Sequence, residues 1–520
     1  MLPMPHPHSF AAIDIGSNSF RLELGRLRDG RYNRMDYLKE AVRLGAGLGP
    51  EGQLSEEAIR RGLACLARFR DRIDQVPGIH VRVVATQTLR EATNRESFIQ
   101  RAEHVLGHPI ELIGGREEAR LIYLGVSRLQ PSRRPRLVID IGGRSTELIL
   151  GRGSQTLAME SFPVGCIGLS QRFFPDGRYT AAAFRAAQIS TAAAFSSGFG
   201  TFTATQWQEA LGSSGTAASI ADILLANRIT NGTITPEGLR WAITACLEAG
   251  RLDRLTLAGL EGSRKSILAS GLAILYTLVM HLGIEALLPA RGALRQGVVF
   301  DLEERLRSRN GLLPGQQDLR DQTVADLQRR FQVDLRQARR VSQVATDLMR
   351  RIRPQSELTQ LRQLGWAAAL HEIGRTLSHQ EPHVHGAYLV EHADAPGFSL
   401  GEQQQLAWLI GHYQGALPAQ RPRLGTDESI RKLLCLRLAA LICQGRDAGL
   451  ADQIHIDAGR RQVMFELRPQ DPQSSAALRL RYLLEEETRA WARASGLRMQ
   501  LVLNVSPIQP DPTGVRDLST

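Results

Sequence analysis

The 520-residue chain is poor in lysine, cysteine and aromatic residues, and each shortage narrows what it can be. Its five cysteines are widely spaced and form no Cys-x-x-Cys pair, which argues against a disulfide framework or a zinc ribbon. Aromatic residues make up 5% of the chain, which disfavours a sequence-specific nucleic-acid reader that stacks bases on aromatic side chains. The N-terminal segment lacks the basic start and apolar run of a secretory signal, so we expect a cytoplasmic protein.

Because the chain has only three lysines, almost all of its positive charge is carried by arginine. The 64 basic residues outnumber the 53 acidic ones, which gives a formal net charge of +11. Two interpretations stay open. Either a genomic bias has placed arginine on solvated surfaces, or a polyanionic partner uses the planar guanidinium fork to bind its oxygens.

Long uncharged segments are also scarce, and one of them needs a closer look. Residues 266–284 contain no Asp, Glu, Lys or Arg and are long enough to test as a membrane span. Ser270, Thr277 and His281 lie within this segment and predict a buried core helix instead. We therefore predict no transmembrane segment and leave open a peripheral membrane contact.

An internal repeat indicates the architecture of the N-terminal half. Residues 12–19 read AIDIGSNS and residues 138–145 read VIDIGGRS, and an alternating run follows each copy. Each copy therefore predicts a strand, a tight turn and a second strand. The helices and strands predicted after each copy also correspond in order, so we expect two related α/β domains with a ligand cleft between them.

The C-terminal half has a different pattern. From about residue 312 the apolar residues follow helical periodicity, and alternation returns in QIHIDAGRRQVMFELRP and MQLVLNVSPI, with a helix predicted between these two runs. We predict domain boundaries at 1–128, 129–308, 309–445 and 446–520. The first two domains are α/β, the third is all-α and the last is a small α+β domain.

The two repeated turns have the residues that a phosphate site needs. Asp14 and Asp140 end the predicted strands, where Mg²⁺ with its water shell could bridge them to phosphate oxygens. Backbone amides and hydroxyls in the turns would cradle phosphates. The first turn supplies Gly16, Ser17, Asn18 and Ser19, and the second supplies Gly142, Gly143, Arg144, Ser145 and Thr146.

Three further features extend this predicted site. Arg90 closes a predicted strand near the same sheet end as Asp14, where arginine can hold a terminal phosphate bidentately. Glu117 and Glu118 open a predicted helix, where a carboxylate could deprotonate an attacking water molecule, although ordinary helix capping also explains such a pair. A third loop joins a strand to a helix and offers amides to another phosphate through Gly212, Ser213, Ser214, Gly215 and Thr216.

The segments AAIDIGSNSF, ATQTLREA, GREEARLIY, VIDIGGRSTEL, GSSGT and GALRQGVVFDL, in this order, resemble the exopolyphosphatase and guanosine pentaphosphate phosphohydrolase family. The resemblance is strong over residues 10–305 and extends to the long, four-domain members over nearly the whole chain. It implies two duplicated actin-like (ribonuclease H-like) α/β domains, then an all-α His-Asp-like domain and a small α+β C-terminal domain. It also implies a homodimer.

The resemblance further implies Mg²⁺-dependent removal of terminal orthophosphate from a phosphoanhydride. Glu118 matches the catalytic base, Arg90 a phosphate ligand, and Asp140 and Glu147 the residues that support the metal. The second turn of the family usually has a small residue where this chain has Arg144. This difference predicts either an additional phosphate contact or a restricted approach of the turn's backbone.

The basic composition and the long C-terminal half favour inorganic polyphosphate as the substrate, held in a basic channel and degraded processively. Hydrolysis of guanosine pentaphosphate is the alternative that shares every motif. Two hypotheses from different functional classes also stay open, namely a kinase of the actin-like superfamily and a noncatalytic polyanion-binding protein.

The helical domain also contains the histidine cluster of the sequence, around the motif His371-Glu372. Proteins of the His-Asp phosphohydrolase type use a comparable helical scaffold to bind metal. Here Glu372 replaces the paired Asp and the preceding helix supplies no histidine. We therefore predict a scaffold without metal. The remaining members of the cluster are His379, His383, His385, His392 and His412.

Overall fold

The computed structural model describes residues 8–28, 31–309, 318–417, 427–446, 450–458, 462–469, 471, 473–494 and 500–504. The chain divides into two compact units, the first formed by residues up to 316 together with 398–400, and the second by the other residues from 317 onward.

The first unit contains two five-stranded sheets. The strands of the first sheet are β1 (His8–Ile15), β2 (Phe20–Arg28), β3 (Arg31–Glu40), β4 (His80–Ala85) and β5 (Ile110–Leu112), and those of the second are β6 (Pro135–Ile141), β7 (Thr146–Arg152), β8 (Gln155–Phe162), β9 (Glu209–Gly212) and β10 (Leu287–Pro289).

Both sheets follow one plan. The strand order is β3-β2-β1-β4-β5 in the first sheet and β8-β7-β6-β9-β10 in the second. In each, the first three strands are antiparallel neighbours and the last three are parallel. The prediction of two related α/β domains is therefore confirmed.

The duplication extends to an irregularity at the same place in each sheet. The register of β2 shifts at Gly25 and that of β7 shifts at Gly151. A Cβ atom on Gly25 would lie 2.3 Å from the ring of Tyr32, and one on Gly151 would lie 2.2 Å from the ring of Tyr123. Glycine at each bulge thus makes room for a tyrosine ring.

Ten helices surround these sheets in the part of the first unit that the structure describes. They are α1 (Glu56–Ile73), α2 (Gln87–Glu91), α3 (Arg95–Leu106), α4 (Gly115–Leu129), α5 (Cys166–Phe173), α6 (Ala181–Phe195), α7 (Gly215–Ala226), α8 (Pro236–Ala249), α9 (Leu268–Leu282) and α10 (Leu294–Arg309). The segment Gly262–Leu282, which includes α9, is long and apolar enough to cross a membrane, but 67% of its most apolar window is buried. Since α9 contributes many residues to the core of the second sheet, it is a core helix, as predicted.

Helices α4 and α10 pack tightly against each other. A Cβ atom on Gly297 of α10 would lie 1.7 Å from the carbonyl oxygen of Leu121 in α4, so only glycine fits at this crossing. Apolar side chains of both helices share one core with Phe10 of β1 and Ile149 of β7. The position of α4, which carries Glu118, is therefore fixed against both sheets.

A buried ionic network also joins α10 to α4 and β4. Asp301 accepts hydrogen bonds from Arg82 at 2.5 Å, Arg120 at 2.6 Å and Arg305 at 2.7 Å. Burial alone would raise the pKa of Asp301, but the three guanidinium groups outweigh burial and hold this pKa well below its ordinary value of 3.8.

The second unit begins with helices α11 (Leu319–Arg330), α12 (Leu335–Ile352), α13 (Leu358–Leu370), α14 (Pro382–His392), α15 (Leu400–His412) and α16 (Asp427–Ile442). A three-stranded sheet in the order β11-β12-β13 follows, formed by β11 (Ile454–Ala458), β12 (Gln462–Leu467) and β13 (Gln500–Asn504), with α17 (Ser475–Arg493) between the last two strands. The predicted change from α/β to helical and then to α+β structure is confirmed. Residues 459–461 of the segment QIHIDAGRRQVMFELRP, and residues 499 and 505–508 of the segment MQLVLNVSPI, lie outside the described residues. The domain boundaries stay predictions.

The His371 cluster begins at the end of α13. His371 is buried and its Nδ1 lies 2.7 Å from the carbonyl oxygen of Ala368. Glu372 lies 3.0 Å from a guanidinium nitrogen of Arg375 and accepts a hydrogen bond from Arg446 at 2.9 Å. Two guanidinium groups therefore compensate the charge of Glu372, and the absence of metal from this cluster stays a prediction.

We expect Asp301→Asn to lower the free energy of unfolding by about 3–5 kcal/mol, because three arginines that are largely buried lose their shared carboxylate. The folded pKa of Asp301 lies below its unfolded value, so this stabilisation is complete above about pH 4 and is lost as the pH falls through the folded pKa. Urea unfolding at several pH values should show a constant difference between wild type and variant near neutrality and a smaller one in acid. Glu304→Gln is the control, because Glu304 pairs with Arg128 on the exposed side of the same helix and should contribute less than about 1 kcal/mol. Equal losses in the two variants would contradict the role of the buried network.

Candidate active site

A cavity in the first unit lies where β1 and β6 end in the two repeated turns. It brings together the first turn, the second turn, the third loop and the start of α4. Thirteen residues predicted for the site line the cavity: Asp14, Gly16, Ser17, Asn18, Ser19, Glu118, Asp140, Gly142, Gly143, Ser145, Ser214, Gly215 and Thr216.

The two repeated turns touch each other. A Cβ atom on Gly143 would lie 2.9 Å from Cβ of Ser17, so glycine is needed for this approach. The backbone N–H of Gly45 donates to the carbonyl oxygen of Ser17 at 2.8 Å and holds the first turn from its other side. The amides and hydroxyls of both turns therefore face one small volume.

The strand-end carboxylates have different partners across their hairpins. Asp14 stands opposite Arg21, and the closest side-chain atoms are 3.5 Å apart. Asp140 occupies the equivalent position in the second sheet, but it stands opposite Glu147 and accepts a hydrogen bond from the Ser213 hydroxyl. Burial raises the pKa of both aspartates. Each carboxylate thus favours a nearby proton or cation.

Glu118 is buried in the first turn of α4 and faces the cavity. Arg90 donates to its Oε2 at 3.0 Å. Burial raises the pKa of Glu118 to about 7, since the opposing effect of Arg90 is smaller and the charges of Asp14 and Asp140 add to the rise. Such a carboxylate is suited to accept a proton near neutral pH. Its neighbour Glu117 is held instead in a bidentate ion pair on the same helix.

Arg90 lies in α2, directly after β4, and not on the strand where the sequence places it. Its guanidinium also donates to the carbonyl oxygen of Ile113 and to the side chain of Gln87, both at 2.8 Å. Its Nη2 is buried and has no hydrogen-bond partner among the described residues. Arg90 therefore fixes Glu118 and keeps one donor free.

Glu147 is buried in β7 beside this group and does not form part of the cavity wall. The hydroxyl of Ser161 donates to it at 2.8 Å. Burial raises the pKa of Glu147 well above its ordinary value, and the charges of Glu118 and Asp140 raise it further. Four buried carboxylates thus lie close enough to influence one another.

This donor set fits a divalent cation in one particular way. Across the described parts of the chain, no three His, Cys, Asp or Glu side chains are arranged to hold a metal ion by themselves. Mg²⁺ usually takes one or two carboxylates and completes its octahedral shell with water and substrate phosphate oxygens. The carboxylates therefore fit Mg²⁺ that is held jointly with a phosphorylated substrate.

Five residues predicted to bind substrate are not part of the cavity wall: Arg90, Arg144, Thr146, Gly212 and Ser213. The Thr146 hydroxyl donates to the carbonyl oxygen of Val164 at 2.6 Å. Gly212 lies in β9, where a Cβ atom would lie 2.5 Å from Cβ of Ala217. Thr146 and Gly212 therefore support the second turn and the third loop from outside the cavity.

Two arginines of the cavity wall, Arg21 and Arg264, are not predicted from the sequence. Arg21 stands opposite Asp14 as Glu147 stands opposite Asp140, so aligning the two repeats would have found it. Arg264 lies in the 3₁₀ turn Gly262–Ile267, which has no recognisable motif. Its buried guanidinium packs on Gly215, where a Cβ atom would lie 1.8 Å from Nη2. Within the described structure it pairs with no carboxylate.

Comparison with known families identifies the chain. The model of the Ppx/GppA phosphatase family matches residues 26–306, and the model of domain III of this family matches residues 319–487. The chain belongs to the Ppx/GppA phosphatase family. Members of this family are hydrolases that act on phosphoanhydrides, and the resemblance drawn from the motifs is confirmed.

Curated relatives agree over most of their length. A guanosine-5′-triphosphate,3′-diphosphate pyrophosphatase of Vibrio cholerae is 36% identical over 468 residues, which are 88% of this chain and 91% of the relative. A protein of the same name from Vibrio vulnificus is 34% identical over 484 residues, which are 91% of this chain and 95% of the relative.

Solved structures support the fold. An exopolyphosphatase from Cytophaga hutchinsonii has a TM-score of 0.52 and 23% identity, and covers 57% of this chain and 98% of its own. An exopolyphosphatase-like protein has a TM-score of 0.53 and 24% identity, and covers 58% of this chain and 99% of its own. The predicted pair of actin-like domains, with a helical region after it, is confirmed.

We expect Gly115→Ala to lower kcat for phosphoanhydride hydrolysis by about tenfold or more, because it displaces the candidate base Glu118 and small displacements of a reacting group are costly. A Cβ atom on Gly115 would lie 2.5 Å from Cβ and Oγ of Ser161, so the start of α4 and Glu118 must shift. Gly168→Ala is the control, since a Cβ atom there meets nothing within 4 Å. A Gly115→Ala protein with wild-type kcat would show that the position of α4 does not limit the reaction.

Proposed function

We propose that this protein removes the terminal 5′ phosphate of guanosine 5′-triphosphate 3′-diphosphate by direct attack of water. The observation that carries the reaction is the buried Glu118 carboxylate, with its pKa raised to about 7, beside two turns whose amides suit phosphates. The choice of nucleotide is supported by the names of the Vibrio relatives, which are 34–36% identical over most of this chain.

In the proposed reaction, Glu118 accepts a proton from a water molecule while the water oxygen attacks the terminal phosphorus atom. The bond from phosphorus to its bridging oxygen breaks, which releases orthophosphate and guanosine 5′-diphosphate 3′-diphosphate. Amides of the two turns and the guanidinium groups of Arg21 and Arg264 stabilise the negative charge. Asp140 and Glu147 would hold Mg²⁺, which when bound neutralises charge on the phosphoryl oxygens.

Inorganic polyphosphate is the second candidate substrate. It is favoured by the arginine-rich composition and the net charge of +11. The composition favours polyphosphate, but the named relatives share far more of this sequence than the solved exopolyphosphatase does. We therefore place the nucleotide first.

Orthophosphate release in Mg²⁺ buffer should be measured with both substrates in parallel, using wild type, Glu118→Gln and the surface control Glu96→Gln. We expect a higher kcat/KM for the guanosine substrate and a fall of about 10²–10⁴-fold in Glu118→Gln only, because the variant cannot accept the proton. Faster polyphosphate release by the wild type would reverse the order of substrates. Undiminished activity of Glu118→Gln would show that another group is the base.

Arg264→Gln should raise KM for the preferred substrate by about tenfold or more, since a charged hydrogen bond to a phosphate is worth roughly 1.5–3 kcal/mol. Lys265→Gln is the matched control, because Lys265 is adjacent in sequence but reaches toward the carbonyl oxygen of Asp253 and not into the cavity. Equal KM values for the two variants would show that Arg264 does not contribute to substrate binding.

A further inference from the structure

Arg144 differs from the small residue that the family resemblance predicts, and its side chain crosses from one α/β domain to the other. Its Nε donates to Oε2 of Glu91 at 2.7 Å, and its Nη2 lies 2.6 Å from the same oxygen. Its Nη1 donates to the carbonyl oxygen of Gly45 at 3.4 Å. The side chains of Arg144 and Glu91 are 21% and 28% exposed, so water competes only in part for this ion pair.

The ion pair continues as a chain of hydrogen bonds to the candidate base. Oε1 of Glu91 accepts from Nε2 of Gln87 at 2.7 Å, and Oε1 of Gln87 accepts from Nε of Arg90 at 2.8 Å. Nη1 of Arg90 then donates to Glu118 at 3.0 Å. Gln87, Arg90 and Glu91 all belong to the five-residue helix α2, so the chain is short and rigid in its middle.

The charged groups on either side of Gln87 fix the orientation of its amide and thereby the direction of the hydrogen bonds. The amide of Gln87 must turn its NH₂ toward the carboxylate of Glu91 and its oxygen toward the guanidinium of Arg90. The opposite orientation would place oxygen against a carboxylate and NH₂ against a guanidinium. A change at Glu91 therefore alters the hydrogen bond between Gln87 and Arg90, because the Gln87 side chain has a single acceptable orientation.

We propose that Arg144 and Glu91 form a latch across the cleft which, through Gln87, positions Arg90 and thereby Glu118 when the second turn meets the first domain. Arg144 and Glu91 are positioning residues in this proposal, and neither is assigned a contact with substrate. The proposal rests on the proposed function, because it concerns the same base.

A second ion pair between the same two domains provides a matched control. Nζ of Lys39 in β3 lies 3.4 Å from Oε2 of Glu261. The Glu261 side chain is 65% exposed, and no hydrogen bond of the described structure links this pair to α2. Glu261→Gln therefore removes an ion pair between the domains without touching the chain that leads to Glu118.

Kinetics of Arg144→Gln, Glu91→Gln and the double variant should be compared with those of wild type and Glu261→Gln. We expect kcat to fall about tenfold in each single variant with KM changed less than about threefold, and no further fall in the double variant, because both changes open one latch. Glu261→Gln should keep the wild-type kcat, because it leaves this chain of hydrogen bonds intact. A rise in KM at unchanged kcat would show instead that Arg144 binds substrate, and additive losses or unchanged kinetics would also overturn the latch.

Hydrogen exchange of the α2 amides tests the latch without substrate. Arg144→Gln should exchange faster than wild type at residues 87–92, whereas Glu261→Gln should not. Equal protection of α2 in all three proteins would overturn the latch even if kcat fell. A wild-type protein that releases no orthophosphate from either substrate would overturn the proposed function. The hydrogen-exchange comparison of α2 would still test whether Arg144 and Glu91 form the latch.

Discussion

Mutual repulsion among buried carboxylates is the constraint that the rest of the first unit must satisfy. Asp14, Glu118, Asp140 and Glu147 are each buried, and burial raises the pKa of every one of them. Without other constraints, these four carboxylates would bind protons or be driven apart by their like charges. The fold prevents separation by attaching three of the carboxylates to sheet hairpins and the fourth to α4, whose packing on α10 leaves no room even for a methyl group at Gly297. The ionic network at Asp301 adds charged contacts to the same helix pair, so the scaffold resists the repulsion that the site requires.

Duplication explains how one architecture supplies two unlike halves of a site. Both hairpins present an aspartate at the same register, but the facing residue is Arg21 in the first domain and Glu147 in the second. The first half is thereby partly neutralised, whereas the second concentrates negative charge. In the proposed reaction, this difference places the cation on the side of Asp140 and Glu147 and a phosphate oxygen on the side of Arg21. The proposed division between phosphate binding and cation binding thus rests on one position of the repeat, which is Arg21 in the first copy and Glu147 in the second.

The sequence predicts the site where local pattern determines structure and fails where tertiary contacts do. The repeated turns, the third loop and the start of α4 were predictable, because each is a strand end or helix start with characteristic residues. Strand β3 was not predicted, since RYNRMDYLKE is polar and largely exposed and pairs only because β2 offers it a free edge. Arg264 carries no local signal, and its place depends on the packing of its 3₁₀ turn against Gly215. The side chain of Arg144 could not be placed from sequence either, because its partner Glu91 belongs to the other domain.

Composition is a weak guide to the substrate here, because it counts every arginine, including those already paired with carboxylates. A net charge of +11 suggests a chain that attracts long polyanions, yet many arginines are already paired with carboxylates. Arg82, Arg120 and Arg305 share Asp301 in the interior, and Arg101 pairs with Glu56 on the surface. In the proposed reaction, a substrate phosphate meets only the guanidinium groups that line the cavity. These are Arg264, which pairs with no carboxylate of the described structure, and Arg21, which lies opposite Asp14. Selection between a nucleotide and a polyphosphate therefore depends on a few side chains near the turns, and a change in net charge far from them should leave the ratio of the two activities unaltered.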